Sequence, residues 1–333
     1  MCYLVTMDNV MAAPGTLVEA VRFFADPDVC LSFLAGLRWP DGNVACPTCG
    51  SQHVTFLRNQ RRWKCYERHP RPQFSIKVGT IFEDSPVPLE KWLPAVWMIV
   101  NDKNGISSYE VARALGITQK SAWFMMHRVR LAMQRGSLDK MAGEVEVDET
   151  FIGGKSRFMH KGQRAAKIKG TGGMGKAAVM GLLERHGPDG HSRVRVKMVP
   201  NTKRKTLAPE VRQHIETGSA IYSDSLASYD GLAPDYAHEF VNHAETYVRG
   251  HVHTNGLENF WSLLKRAIKG TYVSVEPRHL FRYLDEQAFR FNQRRDPDGD
   301  GGRFVKVLRT IVGRRLTYKE LIGEKLDFIT TPA

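Results

Sequence analysis

The chain has 333 residues, a formal net charge of +13 and 42% hydrophobic residues. This length suits two domains or one large domain with appendages, and the isoelectric point near 9.6 points to a polyanionic partner, nucleic acid or an anionic surface. A bilayer span is excluded as a reading: the longest apolar run, WLPAVWMIV at 92–100, is nine residues with an internal proline, where about 20 are needed.

The N-terminal MCYLVTMDNVMAAPG has no basic stretch followed by an apolar core, so no secretory leader is expected and the protein reads as cytoplasmic. The five cysteines are Cys2, Cys30, Cys46, Cys49 and Cys65. An odd number in such a chain argues against a disulfide framework, and three of them cluster.

Residues 17–38 predict helix, interrupted at Asp26-Pro27. Residues 39–85 are rich in Cys, Gly, Pro and Arg with short strand-like runs, the composition of a small module stapled by metal because it cannot build a core alone. Within it, Cys46-Pro-Thr-Cys49 and Cys65-Tyr-Glu-Arg-His69 form C-x2-C and C-x3-H pairs, fifteen residues apart. Structural zinc takes four S or N ligands, supplied by such paired knuckles. The expected ligands of one Zn2+ are Cys46, Cys49, Cys65 and His69, with His53 competing for the fourth place. Gly50 follows the first pair, where a knuckle turn favours positive φ.

Residues 86–140 read as a helical, DNA-binding segment. Inside it, a helix from Ser108 to Leu115 stops at Gly116, and a second begins after Thr118 as N-cap. Two short helices around a glycine turn form a helix-turn-helix-like pattern. The second helix carries Gln119, Lys120, His127, Arg128 and Arg130, side chains suited to phosphates and bases.

From residue 144 the periodicity becomes that of strands: EVEVDETFIGG, KAAVMGLLER at 176–185 and SRVRVKMVPN at 192–201. A helix follows at 206–218, then strands SAIYSD at 219–224 and HEFVNHA at 238–244, and helices at 253–270 and 278–295. This order matches a ribonuclease H-like α/β domain over 141–295. Between the first two strands, residues 155–176 are basic and Gly-rich, suited to tracking phosphates. Residues 296–302, DPDGDGG, read as a loop opening a C-terminal extension to 333.

The first strand concentrates acid. Its alternation puts Glu146, Asp148 and Thr150 on one face, with Val145, Val147 and Glu149 on the other. Glu146 is at most a supporting residue, and Glu144 reads as a solvated strand start. Asp224 ends another strand, and Glu258 lies near the start of a helix. Carboxylates at the ends of two neighbouring strands plus one from a helix can converge on a pair of Mg2+ ions, the arrangement for phosphoryl transfer. Lys265, seven residues after Glu258, lies on the same helical face and offers a cation for phosphate. Leu257, Phe260, Trp261, Leu264 and Ile268 supply that helix's packing face.

VDETFIGGK (147–155), YSDS (222–225), HTNGLENFWSLLKRAIKGTY (253–272) and YLDEQAFRFNQR (283–294) resemble the DDE transposases of bacterial insertion sequences. With CPTCG and QFSIKVGTIFEDS (73–85), they resemble the group with an N-terminal zinc ribbon, here within 17–85. The resemblance covers roughly residues 25–325. It implies a ribonuclease H-like fold, Mg2+ or Mn2+ held by Asp148, Asp224 and Glu258, and Lys265 as a DNA contact. Asn255 is the alternative third residue, since some members of the group are described with asparagine; the 33 residues between Asp224 and Glu258 and the spacing to Lys265 favour the glutamate. The ribbon departs from the second C-x2-C of many relatives, which leaves the fourth zinc ligand between His69 and His53. The implied function is binding of terminal inverted repeats with cleavage and strand transfer of double-stranded DNA, by a homo-oligomer on paired ends, in the cytoplasm and at the bacterial nucleoid. A DNA-binding regulator derived from a transposase, without catalysis, is the alternative.

Overall fold

The computed structural model describes residues 13–134, 139–154, 160–162, 175–224, 229, 231–232, 234–241 and 253–323. Most of the basic stretch at 155–176, Ser225, and residues 242–244 of the fifth expected strand lie outside them. The chain divides into two units, Met1–Met133 with Arg295–Ala333, and Gln134–Arg294.

In chain order the first unit opens with α1 (Leu17–Phe23), α2 (Pro27–Arg38), β1 (Val54–Leu57), β2 (Arg62–Cys65) and β3 (Gln73–Phe74). It continues with α3 (Leu89–Asn101), α4 (Ser108–Leu115) and α5 (Gln119–Met133). The second unit holds β4 (Glu144–Ile152), β5 (Ala177–Glu184), β6 (Arg193–Val199), α6 (Arg204–His214), β7 (Ala220–Asp224), β8 (Ala237–Val241), α7 (Asn255–Arg266) and α8 (Leu280–Asn292). The chain then returns to the first unit with α9 (Gly299–Leu308) and α10 (Tyr318–Ile322).

The break between α1 and α2 follows from local chemistry. Asp26 accepts the Asp28 amide as N-cap of α2, and Pro27 takes the first helical position, where its missing N–H is no loss. β1, β2 and β3 form an antiparallel sheet in that order. Trp63 anchors it, buried, 5.4 Å from the Trp39 ring and 5.9 Å from Phe74. Ser107 and Glu110 form a capping box on α4, which ends at Gly116 in the left-handed conformation. Thr118 Oγ1 accepts the Ser121 amide at 3.2 Å at the start of α5, so the expected helix-turn-helix connection is present. The second helix ends at Met133, and residues 135–138 of the expected helical stretch lie outside the described residues.

Residues 296–302 correct one expectation: α9 begins inside the stretch read as a loop, at Gly299. Phe304 supplies the reason. It is fully buried and packs on Phe24 at 5.7 Å and Phe33 at 6.1 Å, and such tertiary packing outweighs the poor helix propensity of glycine.

In the second unit the sheet order is β6-β5-β4-β7-β8. β4, β5 and β6 pair antiparallel, while β7 pairs parallel onto β4 and β8 parallel onto β7. The α6 crossover covers one face through Val145, Val147, Leu207, Val211 and Ile221. α7 and α8 cover the other through Val179, Leu183, Phe260, Trp261 and Phe291. Central β4 is thus buried on both sides, and the arrangement is the expected ribonuclease H-like α/β fold. α6 ends before the expected 218 because Ile215 turns extended and bridges to Met141.

Candidate active site and zinc centre

The register of β4 against β7 builds the site. Val147 pairs with Ser223 in the parallel ladder, so the next residues, Asp148 and Asp224, are neighbours; Asp224 ends β7 as expected, whereas Asp148 lies midway along β4, which runs on to Ile152 because it continues to pair with β5. Both fall on the face covered by α7. Asp148 is held at both oxygens: Trp261 Nε1 donates to Oδ2 at 2.8 Å and the Glu149 amide to Oδ1 at 2.8 Å. Burial is the main reason its carboxyl is pushed up to about 6; the Trp261 bond works against that, and the charges of Asp224 and Glu258 add to it.

Glu258 sits between Leu257 and Trp261, each of which bonds a β4 carboxylate. It is exposed, as is Asn255 at the helix start, while Lys265 is half-buried in the last turn. Among the described residues, only a Cys/His set brings its ligand atoms within 4.8 Å of one another. The carboxylates of Asp224 and Glu258 are near enough for their charges to act on Asp148, but the three do not close to that spread.

Glu146 is far more than a surface acid. It is 1% exposed, and it accepts Arg185 Nε at 2.9 Å on Oε1 and the Leu257 amide at 2.9 Å on Oε2. Glu144 is also not simply solvated: it accepts the Tyr222 hydroxyl at 2.8 Å. Glu149 points to the opposite face, as the alternation requires, but it is not exposed. Burial first, then the charges of Asp148 and Asp224, push its carboxyl up to about 8. Sequence reasoning gave Trp261 only a packing role. The available signal was chemical: a buried indole N–H needs an acceptor.

The zinc centre gathers Cys46, Cys49, Cys65 and His69. Cys49 Sγ lies 3.7 Å from Cys65 Sγ, and His69 Nε2 lies 3.5 Å from Cys46 Sγ. Bonds of about 2.3 Å to sulfur and 2.0–2.1 Å to nitrogen place tetrahedral corners roughly 3.5–3.8 Å apart, so these residues fit zinc. His69 Nδ1 contacts the Pro70 carbonyl at 2.9 Å, which orients the ring and leaves Nε2 for the metal. His53 stands outside the cluster, 70% exposed beside Glu67. Gly50 takes φ 75°, and the amides of Cys49 and Thr48 bring the Cys46 thiol down to about 7 against the desolvation of burial.

The helix-turn-helix face needs a correction. His127, Arg128 and Arg130 are buried, at 0%, 4% and 1% exposure, and do not form a basic DNA-facing row. Arg128 instead donates to the carbonyls of Ile81 at 3.0 Å and Glu83 at 2.7 Å, beneath the Phe124 ring. Of the basic residues expected to face DNA on α5, Lys120 at its N-terminus remains exposed. The ribbon exposes Arg58, Arg62, Lys64, Arg68 and Arg71. Among the described residues, no helix is long and apolar enough to cross a membrane.

Residues 140–292 match the ISXO2-like transposase domain, and residues 26–67 match the transposase zinc-ribbon domain. The chain is 27% identical, over 256 residues, to an uncharacterized protein in transposable element ISH50 of Halobacterium salinarum, covering 74% of this chain and 84% of that protein. It is 33% identical, over 96 residues, to an uncharacterized transposase-like protein of Haemophilus influenzae, covering 28% of this chain and 77% of that one. Fold, ribbon and relatives agree: the chain belongs to the ISXO2-like DDE transposases of insertion sequences, with an N-terminal zinc ribbon.

Proposed function

We propose that this transposase binds the terminal inverted repeats of its element and cuts and joins DNA there by metal-dependent phosphoryl transfer. The observation that carries this reading is the placement of Asp148 beside Asp224, with the Glu258 helix bonded to the same strand.

The donor set fits a hard divalent cation, Mg2+ or Mn2+. It consists of carboxylate oxygens alone, and the Asp224 and Glu258 charges, which add to the burial that lifts Asp148, are offset when positive charge enters. Asp148, Asp224 and Glu258 would hold the ions, with Asn255 the alternative third residue. Bound there, a cation pair supplies Lewis-acid stabilisation of the attacking and leaving oxygens. Trp261 keeps Asp148 oriented, and Lys265 on the Glu258 helix offers a cation to the scissile strand. Lys203, Arg204 and Lys205, exposed at the start of α6, would bind the backbone. Cys46, Cys49, Cys65 and His69 hold the structural zinc, and the ribbon with the helix-turn-helix grips the repeat.

Two displacements follow. Water attacks a phosphodiester at the element end and frees a 3′-hydroxyl; that hydroxyl then attacks a target phosphodiester and expels a second 3′-hydroxyl. No covalent enzyme intermediate is needed. Joining requires both ends together, so a homo-oligomer on paired ends belongs to this reading. The test is Asp148→Asn: cleavage of terminal-repeat DNA in Mg2+ should be abolished while end binding persists. Cleavage at the wild-type rate by this variant would overturn the assignment, and wild-type protein that binds ends but never cuts would be a regulator instead.

A further inference from the structure

Two residues outside the acid triad fasten the Glu258 helix to the Asp148 strand. Glu146 Oε2 accepts the Leu257 amide at 2.9 Å. The N-cap Thr254 makes no side-chain capping bond, so a carboxylate from β4 satisfies one of the leading amides of α7 and sets negative charge at the positive end of its dipole. Gly256 permits the approach, since a β-carbon there would lie 2.8 Å from Glu146 Oε2. One turn further on, Trp261 Nε1 donates to Asp148 Oδ2 at 2.8 Å.

The two bonds bracket Glu258 on the helix. On the strand they end at Glu146 and Asp148, same-face neighbours. A helix pinned at two such points cannot slide along the strand or roll about its own axis, so the reach of Glu258 toward Asp148 is set. Arg185 secures the entry to the helix: Nε bonds Glu146 Oε1 at 2.9 Å, and NH2 donates to the His253 carbonyl at 2.6 Å.

We propose that Glu146 and Trp261 are positioning residues that preorganise the cation site by setting the separation of Glu258 from Asp148. This rests on the reading of Asp148, Asp224 and Glu258 as the cation ligands. Residues that orient metal ligands without touching the metal are typically worth about 10–100-fold in affinity.

The experiment titrates Mn2+ into the full-length protein without DNA and counts bound ion by electron paramagnetic resonance. Cleavage of terminal-repeat DNA is followed in parallel against metal concentration. Trp261→Phe keeps the ring in the core and removes only the N–H. Its Mn2+ affinity should fall about tenfold or more, and cleavage should need correspondingly more metal, with end binding and melting temperature near wild type. Glu146→Gln retains an acceptor for the Leu257 amide and should lose less affinity than Glu146→Ala. If the alanine variant fails to fold, Trp261→Phe still decides. Wild-type Mn2+ affinity and metal requirement in Trp261→Phe would overturn the positioning role. Asp148→Asn separates the two layers. Loss of Mn2+ binding there with wild-type behaviour of Trp261→Phe sinks only the positioning role, whereas retained binding in Asp148→Asn sinks the cation site itself.

Discussion

Gly181 stands directly opposite Asp148 on the neighbouring antiparallel strand, and its missing side chain is the space that the Trp261 indole fills. A β-carbon at 181 would lie 2.5 Å from the indole and 2.9 Å from Leu257. The overlap is with a buried ring rather than with a flexible tip, so Gly181→Ala should destabilise the protein by about 1–3 kcal/mol. It should also pull the indole off Asp148. Thermal unfolding and the metal requirement of cleavage would both move; an unchanged melting temperature would mean that α7 shifts aside freely.

The zinc centre makes a ligand-swap prediction. Metal analysis of protein purified without chelator should return one zinc per chain. His69→Ala should lose it and His53→Ala should keep it, because the His69 ring reaches the thiolates and the exposed His53 ring stands outside the cluster. Removing zinc should unfold the ribbon, since so small a module depends on its metal. Zinc retained in His69→Ala would return the fourth place to His53.

Glu149 predicts a pH dependence. Its Oε1 is buried without a hydrogen-bond partner among the described residues, and burial with the Asp148 and Asp224 charges pushes the carboxyl up to about 8. In the unfolded chain it titrates near 4.3, so over the interval between these values the folded form holds a proton that the unfolded form releases. Its contribution is fully present below about pH 4.3, declines as pH rises, and is lost above about 8. Asp148, raised to about 6, acts in the same sense over a lower window. In buffer free of divalent cation, the unfolding temperature should therefore fall between about pH 5 and 8. Glu149→Gln should flatten that slope and melt higher than wild type at pH 8; an unchanged slope would place the effect elsewhere.

The buried basic residues of α5 separate stability from binding. Arg128→Ala leaves the Ile81 and Glu83 carbonyls without their donor and should cost about 1–3 kcal/mol of stability. Lys120→Ala, at an exposed position, should leave stability unchanged, weaken DNA binding and lower the salt slope by about one. Equal losses of affinity in fully folded Arg128→Ala and Lys120→Ala would contradict this division.

Much of the architecture is local and was legible in the chain. The alternation of EVEVDETFI assigns Asp148 to its face, Gly116 ends α4, and C-x2-C marks the first knuckle. What escaped depends on partners far along the sequence. His127, Arg128 and Arg130 look like a basic face until the carbonyls of Ile81 and Glu83 are found beneath Arg128. Glu146 looks like surplus acid until Arg185 and the Leu257 amide meet it. Trp261 looks like core because its packing and its polar role need the same inward direction. The helix at Gly299 was hidden because glycine is a poor helix former, and only the burial of Phe304 beside Phe24 and Phe33 explains why it forms.

The parallel β4–β7 ladder has a consequence in time. Asp148 and Asp224 are distant in the chain and become neighbours only when a non-local pairing closes behind the α6 crossover. Such pairings are among the slower events of folding. The α7 helix docks on β4 from later still in the sequence. A ribosome-bound chain can therefore present Cys46, Cys49, Cys65 and His69 long before Asp148 and Asp224 come together, so the zinc ligands are complete ahead of the acid pair.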